Sequence, residues 1–501
     1  MKLPVQPQTS PRRNFDFGIL VRVLLALGVG ALAISTQSFW IDEACTATIA
    51  AAPTPGAWWQ AMLHDAGSDL QMPLYMAFIW FWEKLAGHGE WPLRAANLVW
   101  LALGVAAVPR RRPVFIALIL ASPFVWYYLG EARPYTMQIA AALLLVGSLL
   151  RLEQKPEKIY LRLFGIGLVL LAGSSLIGMV WAGAFLFAAI FICGFQNFFR
   201  FVRENVLAVL ATAFFLAALA AYYLWTLKYA LGVTPGETGV RNILFAGYEL
   251  LGFTGLGPGR AQIRDAGLAA FKPFWPLLAL QGLVTAAVLL AGIWKMFQSL
   301  PRRVWLGVTF AFVLAAIFLL AVGALKHDRV LGRHFAPLVP VLIFLLAAGC
   351  REFWRRGKFW RVIVGLFLAL TLASAFSVRF AERHARDDYR AAAALAHDCL
   401  AQGRRVWWCA DLTAGSFYGV PVSNPGELPA PGLAWPAFVF SENVITNQPP
   451  PDVVILSRPE IYDPPGFVRA LLVRDHYRLA ETPWQFAVWR KPETPVNAAA
   501  P

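Results

Sequence analysis

Apolar runs of about 16 to 22 residues alternate with short polar stretches up to residue 379, at 17–36, 92–108, 113–130, 135–150, 159–174, 176–195, 206–227, 274–294, 304–325, 335–350 and 362–379. Each is close to the length a helix needs to cross roughly 30 Å of hydrocarbon. The pattern predicts about eleven transmembrane helices. The stretch 159–195 is apolar throughout but interrupted at Gly173-Ser174-Ser175, and it predicts a hairpin of two short helices. Residues 72–87 are apolar and aromatic yet rich in Trp, Tyr and Lys, which anchor at membrane interfaces. They are read as a helix lying in the outer interface, with shorter interfacial helices at 43–51 and 56–65 separated by Pro53, Pro55 and Gly56.

After residue 380 the pattern changes. Residues 387–401 read as a helix, 404–409 and 451–457 as strands, and 474–489 as two closing strands. The expected organisation is an all-α polytopic membrane domain over 1–379, with a first outer loop at 37–91, followed by a small soluble α/β domain over 380–501.

Composition agrees with a membrane class. Of 501 residues 58% are hydrophobic and only 15% charged, more apolar surface than a soluble domain of this size can hide. The formal net charge of +15 would suggest nucleic acid in a soluble protein. Here the cations cluster in short loops: Arg110 to Arg112, Arg151 with Lys155 and Lys158, Arg200 with Arg203, Arg302-Arg303, and Arg351 through Arg361. With the amino terminus inside, eleven crossings put every one of these clusters in the cytoplasm, so the charge records topology and no nucleic-acid partner is expected. The apolar run after Arg12-Arg13 is long for a signal core and is read as an uncleaved first span. The expected location is a bacterial inner (plasma) membrane, with the 37–91 loop, 131–135, 228–272, 326–334 and the tail on the periplasmic side. The five cysteines have no metal-ligand spacing. Cys399 and Cys409 can pair if the tail is extracytoplasmic, which spacing alone does not decide.

The outer stretches carry the chemistry. Asp42-Glu43 follows the first apolar segment directly, where carboxylates are costly unless they meet water or a partner. Asp69 and Tyr75 come from the same loop, Glu131, Arg133 and Tyr135 from the next outer turn, and Lys326, Arg329, Arg333 and His334 from a later one. Acids and bases on one face suit transfer of a group from an anionic lipid carrier: cations hold the phosphate and a carboxylate takes the proton of an attacking hydroxyl.

In order along the chain stand Asp42-Glu43, the run Asp69-Leu70-Gln71-Met72-Pro73-Leu74-Tyr75, Ala132-Arg133-Pro134-Tyr135, and Arg333-His334-Phe335-Ala336-Pro337-Leu338-Val339-Pro340. This series resembles the GT-C membrane glycosyltransferases, and more narrowly the family 39 group that contains protein O-mannosyltransferases and the aminoarabinose transferases of lipid A. The resemblance covers about residues 15–350. It implies a GT-C-like fold and a glycosyltransferase of envelope glycosylation, one that moves a sugar from a polyprenyl-phosphate carrier to a lipid, glycan or protein acceptor outside the membrane. It also implies that Asp42 sits at the reaction centre. On this reading Asp42 is the general base of an inverting transfer and Glu43 assists it. Arg133, Lys326, Arg329 and Arg333 clamp phosphate, and Asp69, Tyr75, Tyr135 and His334 line the substrate site. The resemblance fixes no cofactor: family members differ on metal, and a divalent cation held by Asp42 and Glu43 is compatible with the family. Met72 stands where family members often carry His or Pro, so no His role transfers to it.

Plainer readings exist for each residue. Asp42 and Glu43 can solvate a helix end, Arg133 can anchor a helix or pair with Glu131, and the 326–333 cations can bind lipid headgroups. The competing function is a lipid or solute transporter or flippase without glycosyl transfer. That class predicts mid-span charges and broken helices in two matching repeats, neither of which the sequence displays.

Overall fold

A computed structural model describes residues 17–65, 67–154, 157–229, 238–424, 430–437, 448–481 and 485–492. Helices occupy Phe17–Ala33, Glu90–Ala107, Tyr135–Gln154, Lys158–Ser174, Leu176–Cys193, Val206–Thr226, Trp275–Ser299, Arg302–Lys326, Val339–Arg356 and Lys358–Phe380, in register with the apolar runs. Among the described residues, seven helical segments are long and apolar enough to cross a membrane. The run 113–130 is not one helix. It divides into Pro113–Ala121 and Pro123–Leu129 at Ser122, because Pro123 cannot donate to the preceding turn, and the Ser122 hydroxyl accepts from Val125 N–H instead. Ser175 ends Lys158–Ser174 in extended conformation and caps Leu176–Cys193 through Gly178 N–H at 3.0 Å, which makes the expected hairpin.

Packing among the helices relies on backbone proximity. A Cβ on Gly292 would lie 2.0 Å from Leu345 O, and one on Gly349 would lie 1.9 Å from Val288 O, so Trp275–Ser299 and Val339–Arg356 touch along glycines, as small residues permit between membrane helices. Outward faces stay apolar: Leu207 is 81% exposed, with Phe214 and Phe310 also open. Such surface is stable against lipid and not against water.

The stretch after the first span forms helices Ile41–Ala50, Pro55–Asp65 and Pro73–Ala86 with a short turn at Ser68–Gln71. The region read as the 228–272 loop is partly helical, with Val240–Leu250, Arg260–Ala266 and a tight turn Gly267–Phe274. Gly332 opens the turn Gly332–Leu338 against Val240–Leu250; a Cβ there would lie 2.2 Å from Glu249 Oε2.

The carboxy-terminal unit holds a five-stranded sheet of order β2-β1-β3-β5-β4, with β1 Val406–Cys409, β2 Trp435–Pro436, β3 Val453–Ser457, β4 Arg478–Glu481 and β5 Phe486–Arg490. β1 runs parallel to β2 and β3, while β5 is antiparallel to both β3 and β4. Strands β1 and β3 are buried on both faces, as parallel strands covered by helices are. Their side chains alternate between two cores. Trp407, Cys409, Val454 and Leu456 face helix Phe467–Arg474. Val406, Trp408, Val453 and Ile455 share the other core with helix Tyr389–Ala401 and with Phe39, Ala44 and Ala47 of the first outer stretch. The sheet unit and the Asp42 region are therefore packed around one apolar interior. Cys399 and Cys409 lie on different elements and are not joined as a disulfide.

Candidate active site

Helix Ile41–Ala50 begins after Trp40, whose backbone is extended, and carries Asp42 and Glu43 in its first turn. Carboxylates there complement the positive end of the helix dipole. Successive residues point about 100° apart around a helix, and the two acids meet different surroundings.

Glu43 is fully buried. Arg94 Nε and Nη2 donate to its two oxygens at 2.9 and 2.8 Å, Arg386 Nη1 donates at 2.9 Å, and Ala132 N–H donates at 2.8 Å. Arg94, also fully buried, spends its remaining Nη donors on the carbonyls of Ser35, Gln37 and Ser38. Burial opposes ionisation of Glu43, but Arg94, Arg386 and the Ala132 N–H outweigh it and hold the carboxyl below its ordinary range. Arg386 continues to Glu131 Oε1 at 3.3 Å and to Gly130 O at 2.9 Å. Glu131 is buried with Oε2 unpartnered; burial, with Glu43 adding to it and Arg386 working against it, raises its carboxyl above the ordinary value.

A second closed group lies on the other side of the helix. Asp69 Oδ1 accepts from Arg133 Nη1 at 2.8 Å and from Thr46 Oγ1 at 2.6 Å. Arg133 Nη1 also reaches Asp42 O at 3.1 Å, and Nη2 donates to Ser68 Oγ at 2.9 Å. Arg133 is 2% exposed and its Nε has no partner. It is spent on fixing the Asp42 turn to the Asp69 turn.

Asp42 is the open carboxylate, with about a quarter of its side chain exposed (27%), and its Oδ2 accepts from Arg333 Nη1 at 2.9 Å. Burial again opposes its charge, yet Arg333, Arg133 and Arg458 prevail, so the carboxyl stays below the usual carboxylate range. Arg333 lies over the rings of Trp40 and Tyr135, 5.5 and 5.9 Å from their centroids. Its Nε is buried without a partner.

The remaining sequence candidates scatter. Tyr75 is fully buried in Pro73–Ala86, its hydroxyl has no partner, and burial pushes its phenol well above the ordinary value. His334 is half-buried; its Nδ1 accepts from Leu331 N–H at 3.2 Å, which closes the turn that carries Arg333, while its carbonyl accepts from Trp181 Nε1. Lys326 and Arg329 are exposed and, among the described residues, make no hydrogen bond or ion pair. Among the described residues no group of three or more His, Cys, Asp or Glu stands where it can hold a metal ion. Asp42 and Glu43 do not suit a shared cation, because both Glu43 oxygens already accept N–H donors. Arg386 and Arg458, which reach the site from beyond the last span, are not among the sequence candidates, and only their charge in an otherwise apolar chain could have flagged them.

No family model matches the sequence, and no curated protein matches it in sequence comparison. Solved structures do. The chain superposes on ArnT from Cupriavidus metallidurans in the apo state with a TM-score of 0.52 at 12% identity, covering 94% of this chain and 97% of that one. ArnT from the same organism bound to undecaprenyl phosphate gives a TM-score of 0.50 at the same identity and coverage. Over nearly its whole length this polytopic helical protein, with its carboxy-terminal sheet, has the fold of ArnT.

Proposed function

We propose that this protein is a membrane glycosyltransferase that moves a sugar from a polyprenyl-phosphate carrier to an acceptor hydroxyl on the outer side of the membrane. The observation that carries this reading is the Asp42–Arg333 pair: an ionised, partly open carboxylate 2.9 Å from a guanidinium that still has unused donors. It supports a base and an anion receptor side by side, and the ArnT structure with bound undecaprenyl phosphate has the same fold.

In the proposed reaction the acceptor oxygen attacks the anomeric carbon as its proton passes to Asp42. The new C–O bond forms while the bond between the anomeric carbon and the phosphate oxygen breaks, and the electron pair leaves with the polyprenyl phosphate. A single displacement inverts the anomeric configuration. The leaving group is a stable anion and needs no general acid; Arg333 receives its charge. Tyr135 supports Arg333 by its ring. Arg133 and Asp69 position Asp42 through its backbone, and Glu43 holds the helix rather than touching substrate. The His334 ring shapes the Arg333 turn, the buried Tyr75 hydroxyl offers one free donor in the first outer stretch, and exposed Lys326 and Arg329 stand outside the phosphate site as surface cations.

The test is transfer of radiolabelled sugar from a polyprenyl phosphate by purified protein. Asp42→Asn should lower the rate about 10²- to 10⁴-fold, the usual contribution of a positioned base. Transfer at the parent rate by this variant, or mapping of position 42 to the cytoplasmic side, would end the proposal.

A further inference from the structure

The carboxy-terminal unit sends one arginine to the Asp42 site. Arg458 precedes the short helix Pro459–Tyr462 in a left-handed backbone conformation (φ 41°), which is unfavourable for a residue with a Cβ and recurs at functional sites. Its Nε donates to buried Asp387 Oδ2 at 2.6 Å, and its guanidinium lies 5.7 Å from the centroid of the Trp40 ring. Arg333 lies over that same ring at 5.5 Å. Two guanidiniums from opposite ends of the fold therefore share one indole two residues before Asp42.

Their remaining donors are free. Among the described residues Arg458 uses only Nε in hydrogen bonding, and its side chain is 24% exposed. Arg333 commits one Nη to Asp42 and leaves Nε buried and unpartnered, and Trp40 Nε1 is buried and unpartnered as well. The Nη donors of the other arginines around Asp42 are committed: those of Arg94 and Arg386 to Glu43 and backbone carbonyls, those of Arg133 to Asp69, Ser68 and Thr46, with only its buried Nε left over. The charge of Arg458 reaches Asp42, since it is among the influences that keep that carboxyl ionised. A cluster of unused N–H donors on two cations is what a phosphate requires, and guanidinium forks match its oxygens.

We propose that Arg458 and Arg333 together form the binding site for the phosphate of the lipid carrier, so that the sheet unit supplies half of the anion receptor; this rests on the glycosyltransferase reading above. Asp387 holds Arg458 in place by its Nε and leaves the outer fork to the ligand.

The experiment measures equilibrium binding of radiolabelled undecaprenyl phosphate, with undecaprenol as the phosphate-free control, to the full-length protein in lipid nanodiscs. Arg458→Met and Arg333→Met should each raise Kd about tenfold or more toward the undecaprenol value. Asp387→Asn keeps an acceptor for Arg458 Nε but loses the charge that holds it, and should raise Kd by less than either arginine variant does. If Arg458→Met does not fold, Arg458→Lys satisfies Asp387 without the outer fork and should still weaken binding several-fold. Parent-like Kd in the Arg458 variants, or equal loss of affinity for undecaprenol in them, overturns the assignment and leaves Arg458 as a docking contact. A parent protein that binds undecaprenol as tightly as undecaprenyl phosphate fails the functional reading itself, and the phosphate site with it.

Discussion

Asp42 and Glu43 are adjacent in sequence and opposite in circumstance. Glu43 sits in a closed knot, where four N–H donors from Arg94, Arg386 and Ala132 consume its oxygens and no water reaches it. Asp42 stands at an opening with one guanidinium partner and part of its surface free. The knot joins the first span, the fifth described helix and the carboxy-terminal unit; the opening has donors to spare. A buried, fully paired carboxylate holds structure together, and an open one with an underused cation beside it is suited to chemistry.

Four substitutions would break or sharpen this contrast. Asp42→Asn has the largest expected effect, a loss of about 10²- to 10⁴-fold in sugar transfer with little change in thermal unfolding. Glu43→Ala should do the reverse in kind. It strands Arg94 without its counter-charge, leaves Arg386 only Glu131, and should cost about 3–5 kcal/mol of stability, read as a lower midpoint in detergent thermal unfolding. If the variant is as stable as the parent, the knot is not structural. Arg333→Met removes the leading influence that offsets burial at Asp42, so the Asp42 carboxyl should titrate at higher pH. In the proposed reaction the base is active when ionised, hence the acid limb of the transfer rate should move upward in pH; an unmoved limb would show that Arg333 does not govern Asp42. Tyr75→Phe has the smallest effect: it deletes a buried hydroxyl that has no partner and should raise stability by about 1 kcal/mol. A loss of stability instead would place a hydrogen bond on that oxygen.

Much of the architecture was legible in the sequence because spans and strands are local patterns. The break at Ser175, the helices near 43–51 and 56–65, and four strands of the tail follow from runs of a few residues, while the two-residue strand Trp435–Pro436 and the order of the sheet do not. The split at Ser122-Pro123 was overlooked because apolarity alone does not mark a break, although the proline did. Site residues were less legible. Asp42 and Arg333 meet as the charge pattern suggested, but Arg133 closes on Asp69 and His334 caps its own turn. Glu43 is answered by Arg386, which lies 343 residues away. A single sequence carries no signal for such a pairing, because each partner is an ordinary charge in its own neighbourhood.

The shared interior that joins Phe39, Ala44 and Ala47 to Tyr389 and Trp408 has a bearing on biogenesis. The helix that carries Asp42 is synthesised early and packs in part against Pro73–Ala86, which follows it closely, yet the rest of its apolar cover emerges from the ribosome after every spanning segment. Until then that part of the helix stays uncovered, and the proposed site is incomplete while the spanning segments are being made. The proposed site is thereby completed only at the end of translation, and a chain cut short before the sheet lacks Arg458.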